Sequence, residues 1–244
     1  MPAVLITGAN GGIGQALCRV FLEADYKVIA SDCSEARCPC DAFVRFDVMR
    51  VCQDEDYRAG VLQKVREVLG DQPLSALINN AAVQILGRTE QITASHWHRT
   101  LQTNLIGPFL LAQGLLQELE RACGSVINIA SVHARATKPG FVCYATSKAA
   151  LVGLTQAMAV DLGGRVRVNA ISPAATATPM LLAGFAGNEA SLRQLAAMHP
   201  TGRIAEPEEV AHLALFLASG RAGSITGASL AIDGGIAVRL HDPE

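Results

Sequence analysis

A doubly wound α/β fold, one parallel sheet with helices on both faces, follows from three observations on the sequence. Seven short apolar runs alternate with stretches that are mostly helix-periodic, a glycine cluster stands directly after the first run, and an aspartate closes the second. AVLIT, Ala3 to Thr7, suits a buried strand, and Ile13, Leu17, Val20 and Phe21 then repeat at helical spacing. KVIAS, Lys27 to Ser31, is the next strand. Further strands are expected at FVRFDV (43–48), SALIN (75–79), SVINIAS (125–131), VRVNAIS (166–172) and SLAID (229–233). Between the fourth and fifth lies a helical pattern from about Ser95 to Leu119, which Gly107 and Pro108 should interrupt.

The opening strand, glycine turn, helix and strand have the order of a dinucleotide-binding (Rossmann) unit. The turn TGANGGIG, Thr7 to Gly14, reads T-G-x3-G-x-G. Its glycines permit a tight bend and let backbone N–H groups at the next helix approach a pyrophosphate. Asp32 ends the second strand, where a carboxylate accepts hydrogen bonds from both ribose hydroxyls and repels a 2'-phosphate. Gly11 in the turn and Cys33 after the aspartate supply no cation to pair with such a phosphate, so NAD is preferred over NADP. The bland alternative for Asp32 is a turn carboxylate.

With 244 residues the chain can bury a large core, and no linker, repeat or low-complexity tract divides it, so one domain is expected over 1–244. Charged residues make up 17%, against a typical share of about 25%, and 50% are hydrophobic. That balance points to surface hidden in a homo-oligomer, a homotetramer or homodimer. The net charge of -2, without a basic cluster, argues against nucleic acid or an anionic membrane as partner. No run of about 18 apolar residues and no positively charged leader is present, so a cytoplasmic location is expected. Four of the seven cysteines, Cys33, Cys38, Cys40 and Cys52, lie in the stretch 33–52, but their spacing lacks the paired C-x2-C knuckles of zinc modules. They are read as free, reduced thiols with no metal.

CYATSKAAL, Cys143 to Leu151, sets Tyr144 and Lys148 one helical turn apart on one face. An ammonium beside a phenol favours the phenolate, which suits the pair to proton transfer. TGANGGIG, NNAA at 79–82, Asn104, Ser131, YATSK at 144–148, NAISPAATAT at 169–178 and IDGG at 232–235 together resemble the short-chain dehydrogenase/reductase family, in its order and over nearly the whole chain.

The resemblance implies an oxidoreductase that interconverts a secondary alcohol and a ketone by hydride transfer. In it Tyr144 is the acid/base, Ser131 binds the substrate oxygen, Lys148 binds the nicotinamide ribose and lowers the tyrosine pKa, and Asn104 holds a water that links Lys148 to solvent. The matched coenzyme positions are Gly8, Asn10, Gly12, Ile13, Gly14, Asp32, Asp47, Val48, Asn80, Thr176 and Thr178, with Tyr144 and Lys148 shared; Asn79 ends the fourth strand beside them. Asp47 alternatively terminates a strand, Asn79 alternatively bridges strand ends, and Asn104 alternatively satisfies backbone at a kink.

Three positions depart from the family pattern: Ala82 and Ala174 stand where glycine is usual, and Thr176 where isoleucine or valine is usual. These bear on pocket shape, since every proton-handling residue is present. The stretch 179–200, apolar with glycine hinges, is expected to form a substrate lid or to pack on a neighbouring subunit. His133 and Gln84, with Arg135 and Lys138 nearby, admit a small hydroxy acid as substrate, against a neutral alcohol, sugar or cyclic diol. The placement of Gln84 and His133 is similar to that in 3-hydroxybutyrate dehydrogenases, whose lysine three residues before the tyrosine is replaced by Phe141. Alternatives to an NAD-dependent dehydrogenase are an NADPH-dependent 3-oxoacyl carrier-protein reductase and a non-catalytic NAD-binding scaffold.

Overall fold

The computed structural model describes residues 1–240. Its strands are β1 (Ala3–Thr7), β2 (Lys27–Ser31), β3 (Ala42–Phe43), β4 (Leu74–Asn79), β5 (Ser125–Ile129), β6 (Arg167–Pro173) and β7 (Ser229–Ile232). The helices are α1 (Gly12–Glu23), α2 (Val48–Gln53), α3 (Glu55–Leu69), α4 (Ala94–Leu101), α5 (Gly107–Gly114), α6 (Leu116–Arg121), α7 (Val142–Leu162), α8 (Pro179–Gly184), α9 (Glu189–Met198) and α10 (Pro207–Ala218).

All seven strands are parallel, in the order β3-β2-β1-β4-β5-β6-β7. Every residue of β1 is buried, as expected of a central strand covered on both faces. Alternation along the strand splits the core in two. Leu5, Leu77 and Val126 meet α3, α5, α6 and α7 on one face, while Val4, Ile6 and Ile78 meet α1 and α10 on the other. The chain winds outward in opposite directions from β1 and β4, the switch point beyond whose carboxyl ends sheets of this kind bind their ligands.

The third predicted strand is corrected. Only Ala42–Phe43 pairs as a strand, because Asp47 accepts a hydrogen bond from Met49 N (2.8 Å) and caps α2, turning Val48 into a helix start. The helical pattern near 95–119 divides into α4, a π-helical turn at Gln102–Ile106, α5 and α6. Pro108 has no N–H to offer the Asn104 carbonyl, so the regular ladder cannot run through this point. Gly107 is required there: a Cβ on it would stand 2.2 Å from Val48 Cγ1.

Candidate active site

The glycine turn sits at the carboxyl end of β1. Gly8 has φ +63°, and a side chain on it would strike the Ala81 backbone at 2.7 Å. A Cβ on Gly14 would lie 2.2 Å from the Gly8 carbonyl oxygen. Asn80 fixes the turn, its Nδ2 donating to Thr7 O (3.0 Å) and Gly8 O (2.9 Å). The first turn of α1 has no side-chain cap and no acidic residue, so the N–H groups of Gly12, Ile13 and Gly14 remain available to an anion.

Asp32 follows β2 at the edge of this turn. Its carboxylate accepts hydrogen bonds from Asn10 N (3.2 Å), Ser34 N (3.1 Å) and Ser34 Oγ (3.0 Å), and from the Cys33 thiol (3.6 Å). Burial pushes its pKa up, but the bonds from Ser34, Asn10 and Cys33 outweigh burial and hold it below the ordinary value. The group is an anion at neutral pH. Asn10 also clamps the loop after β2: its Nδ2 donates to Ser34 Oγ (2.9 Å) and Glu35 O (2.8 Å), and its Oδ1 accepts from Arg37 N (2.8 Å). The expectation that no cation stands near Asp32 is corrected, since Arg45 Nε donates to Cys33 O (3.1 Å) and its guanidinium pairs with Glu35. The chain returns to Asp32 through β3, a proximity that local sequence could not reveal.

Among the other matched coenzyme positions, Asp47 caps α2, and its N–H donates to Tyr57 Oη (3.1 Å). Val48 is buried beside Gly107. Asn79 is buried: its Nδ2 donates to Asn128 Oδ1 (2.8 Å), and Asn128 Nδ2 donates to Thr155 Oγ1 (2.9 Å), so it bridges strands and α7. Thr176 is buried and donates to Ala174 O (3.2 Å). Thr178 caps α8 and closely approaches the glycine turn, since a Cβ on Gly12 would meet its side chain at 2.7 Å.

The proton-handling residues converge beyond β5. Helix α7 runs uninterrupted through Tyr144 and Lys148, and Ser131 lies two residues past the end of β5. Ser131 lies beside Tyr144 closely enough to act on its phenol, and the Ser131 hydroxyl itself accepts from His133 N (3.2 Å). Burial pushes the phenol above its ordinary pKa, and the Ser131 contact opposes that shift. In the coenzyme-free chain burial outweighs any depression of the tyrosine by Lys148. Lys148 is only 2% exposed; its Nζ donates to Ile129 O (2.6 Å) and stands 5.7 Å from the centre of the Tyr144 ring. Burial lowers its own pKa to about 8.

Asn104 is 1% exposed within the π-helical turn. Its Oδ1 accepts from Val83 N (2.8 Å), and its Nδ2 donates to Val83 O (2.9 Å) and Ser147 Oγ (3.0 Å). Ser147 Oγ donates in turn to Tyr144 O (2.7 Å). The side chain thus fastens the loop after β4 to α7, and its contacts are with Val83 and Ser147, not with Lys148. Ser147 escaped notice in the sequence although it lies inside YATSK, because Ser is unremarkable beside an acid/base pair.

His133, Phe141 and Tyr144 form an aromatic group. The imidazole stacks on Phe141, with ring centres 4.2 Å apart and planes 8° from parallel, and meets Tyr144 edge-on at 5.9 Å. Its Nδ1 lies 2.9 Å from Thr137 Oγ1. Burial, and then Lys138, hold the imidazole below its usual pKa, so it is neutral at pH 7. Lys138 is exposed and lies over Phe141 at 5.0 Å, while Arg135 and Gln84 are exposed. Among the described residues, no three His, Cys, Asp or Glu side chains are grouped as a metal ion requires.

A family model described as enoyl-(acyl carrier protein) reductase matches residues 8–237. Protein FixR of Bradyrhizobium diazoefficiens is 37% identical over 245 residues, spanning 95% of this chain and 85% of the relative. An NAD-dependent glycerol dehydrogenase of Listeria innocua is 33% identical over 239 residues, spanning 96% and 93%. The ligand-free structure of Thermoplasma acidophilum aldohexose dehydrogenase superposes with a TM-score of 0.90 at 30% identity, covering 100% of this chain and 96% of that one. The sequence match and the shared fold agree: the chain is a member of the short-chain dehydrogenase/reductase family.

Proposed function

We propose that the protein is an NAD-dependent oxidoreductase that interconverts a neutral secondary alcohol and its ketone. The observation that carries the coenzyme choice is the ionised Asp32 carboxylate, fixed after β2 by Asn10 and Ser34. The N–H groups of Gly12, Ile13 and Gly14 would hold the pyrophosphate, and Lys148 would bind the nicotinamide ribose. Bound nicotinamide supplies the hydride acceptor or donor. Ser131 Oγ holds the substrate oxygen, and Tyr144 Oη takes its proton during oxidation or returns it during reduction. The positively charged Lys148 favours the phenolate when Tyr144 gives up its proton. Asn104 keeps the loop after β4 against α7, which preserves the spacing of these groups.

A neutral substrate is favoured over a hydroxy acid because the nearest ring, His133, is neutral and stacked, and the cations Arg135 and Lys138 are exposed. The segment 179–200, α8 and α9 with their connections, serves as the lid of a single coenzyme-binding domain. Exposed apolar side chains on the described surface, Val160 at 85% and Ile106 and Phe109 among them, suit a homotetramer. Arg45 and Arg37 beside the Asp32 loop favour one rival, an NADPH-dependent ketoreductase. Fluorescence titration with NADH and NADPH decides between them, and a turnover screen over secondary alcohols, sugars and 3-hydroxy acids tests both catalysis and substrate. Tighter NADH binding that falls by about 10²-fold in Asp32→Ala is expected, as two hydrogen bonds to a charged group are lost. Equal affinities in the unmodified protein refute the NAD reading, and absence of turnover with every substrate leaves the non-catalytic scaffold.

A further inference from the structure

The loop from Asp32 to Asp41 carries three cysteines that the proposed reaction does not use. Cys38 and Cys40 are half-buried with Pro39 exposed between them, so both thiols face the protein, and the chain bends at Cys38. Both pack into the apolar cluster that holds Cys18 of α1, which is wholly buried. Cys38 and Cys40, one residue apart, thus lie on the inward side of the loop against the same apolar cluster. All three are free. Burial pushes the Cys18 thiol far up, with its cysteine neighbours adding to the shift, so Cys18 is inert as a nucleophile. Cys38 and Cys40 are partly exposed to a small reagent.

The two ends of this loop are held unequally. At its far end Asp41 is tied to β2 twice, its Oδ2 accepting from Val28 N (2.7 Å) and its N–H donating to Val28 O (3.0 Å). At the near end the residue before Cys38 is held by one bond, Arg37 N to Asn10 Oδ1. A contraction between Cys38 and Cys40 is therefore passed toward Arg37, Asn10 and the Asp32 carboxylate.

We propose that Cys38 and Cys40 are a reversible oxidative modification site, a disulfide that loosens the Asn10 clamp and weakens coenzyme binding at Asp32. The coenzyme effect rests on the reading of Asp32 as the ribose site. The oxidant is a low-molecular-weight disulfide of the glutathione class. The Cys38 thiolate attacks one of its sulfurs, forming a mixed disulfide and releasing one thiol. The Cys40 thiolate then attacks the Cys38 sulfur, closing the protein disulfide and releasing the second thiol. Two protein thiols are oxidised and one small disulfide is reduced to two thiols, so electrons and protons balance. A ring closed across a single intervening residue is strained, which keeps it readily reducible.

The test equilibrates the intact protein with oxidised glutathione or with dithiothreitol, maps disulfides by peptide mass spectrometry, and titrates NADH by fluorescence. Oxidation should yield a Cys38–Cys40 disulfide and raise the NADH Kd about fivefold, the worth of one ordinary hydrogen bond, with full reversal by dithiothreitol. Cys38→Ser and Cys40→Ser should keep the reduced-state affinity and lose the response, while Cys33→Ser should keep it. The proposal is overturned by a map without the Cys38–Cys40 disulfide, by a disulfide that leaves NADH affinity unchanged, or by a response that Cys33→Ser abolishes. A reduced protein that binds neither NADH nor NADPH refutes the ribose-site reading instead, and the peptide map, which needs no coenzyme, still decides the disulfide.

Discussion

Replacing Lys148 with methionine should stabilise the coenzyme-free protein while abolishing its activity. The lysine is 2% exposed, and burial lowers its pKa from 10.5 to about 8. A depression of that size amounts to about 3 kcal/mol of destabilisation at pH 7, where the folded protein must keep a charge that burial disfavours. Against this, the ammonium bonds to Ile129 O at 2.6 Å and lies 5.7 Å from the Tyr144 ring centre, contacts together worth about 1 kcal/mol. Methionine fills a similar volume without charge, so a net gain of about 2 kcal/mol is expected, or about 5 °C in Tm for a chain of this length. The sign has a definite pH window. Between pH 8 and 10.5 the unfolded chain still holds a proton that the folded protein has shed, so the wild type gains stability as pH rises and the advantage of the variant disappears by pH 10.5. Urea melts of both proteins at pH 7 and pH 10.5 measure this. A variant no more stable than wild type at pH 7, or one whose advantage is independent of pH, refutes the reasoning.

Tyr144→Phe should lower turnover by at least about 10²-fold with little change in NADH Kd, since only the proton-transfer group is lost; alcohol oxidation by the wild type should quicken with rising pH as the phenol ionises. Asn104→Ala should cost at least about 2 kcal/mol in a urea melt, because it strips both backbone partners from Val83 and the donor from Ser147. In Gly14→Ala the new Cβ would lie 2.2 Å from the Gly8 carbonyl oxygen, so the turn must move; NADH titration should show affinity falling by at least about tenfold. Unchanged affinity there would mean that the turn does not hold the pyrophosphate.

The sequence by itself determined the order of strands and helices, the glycine turn, and the pairing of Tyr144 with Lys148, because these rest on local periodicity, on glycine's freedom at Gly8, and on helical spacing. It also determined that Asp32 ends a strand beside that turn. Only the tertiary structure decided what surrounds each of these groups. The return of the chain through β3 brings Arg45 to the Asp32 loop. The meeting of α7 with the loop after β4 gives Asn104 its partners in Val83 and Ser147. Stacking on Phe141 orients His133 beside Tyr144, and burial, then Lys138, keep its imidazole neutral. The depth of Lys148, and with it the unequal shifts of lysine and tyrosine, likewise comes from the packing of α7 on the sheet. Local pattern records which face of an element is apolar. Desolvation and hydrogen bonding depend on atoms distant in sequence, and folding alone brings those together.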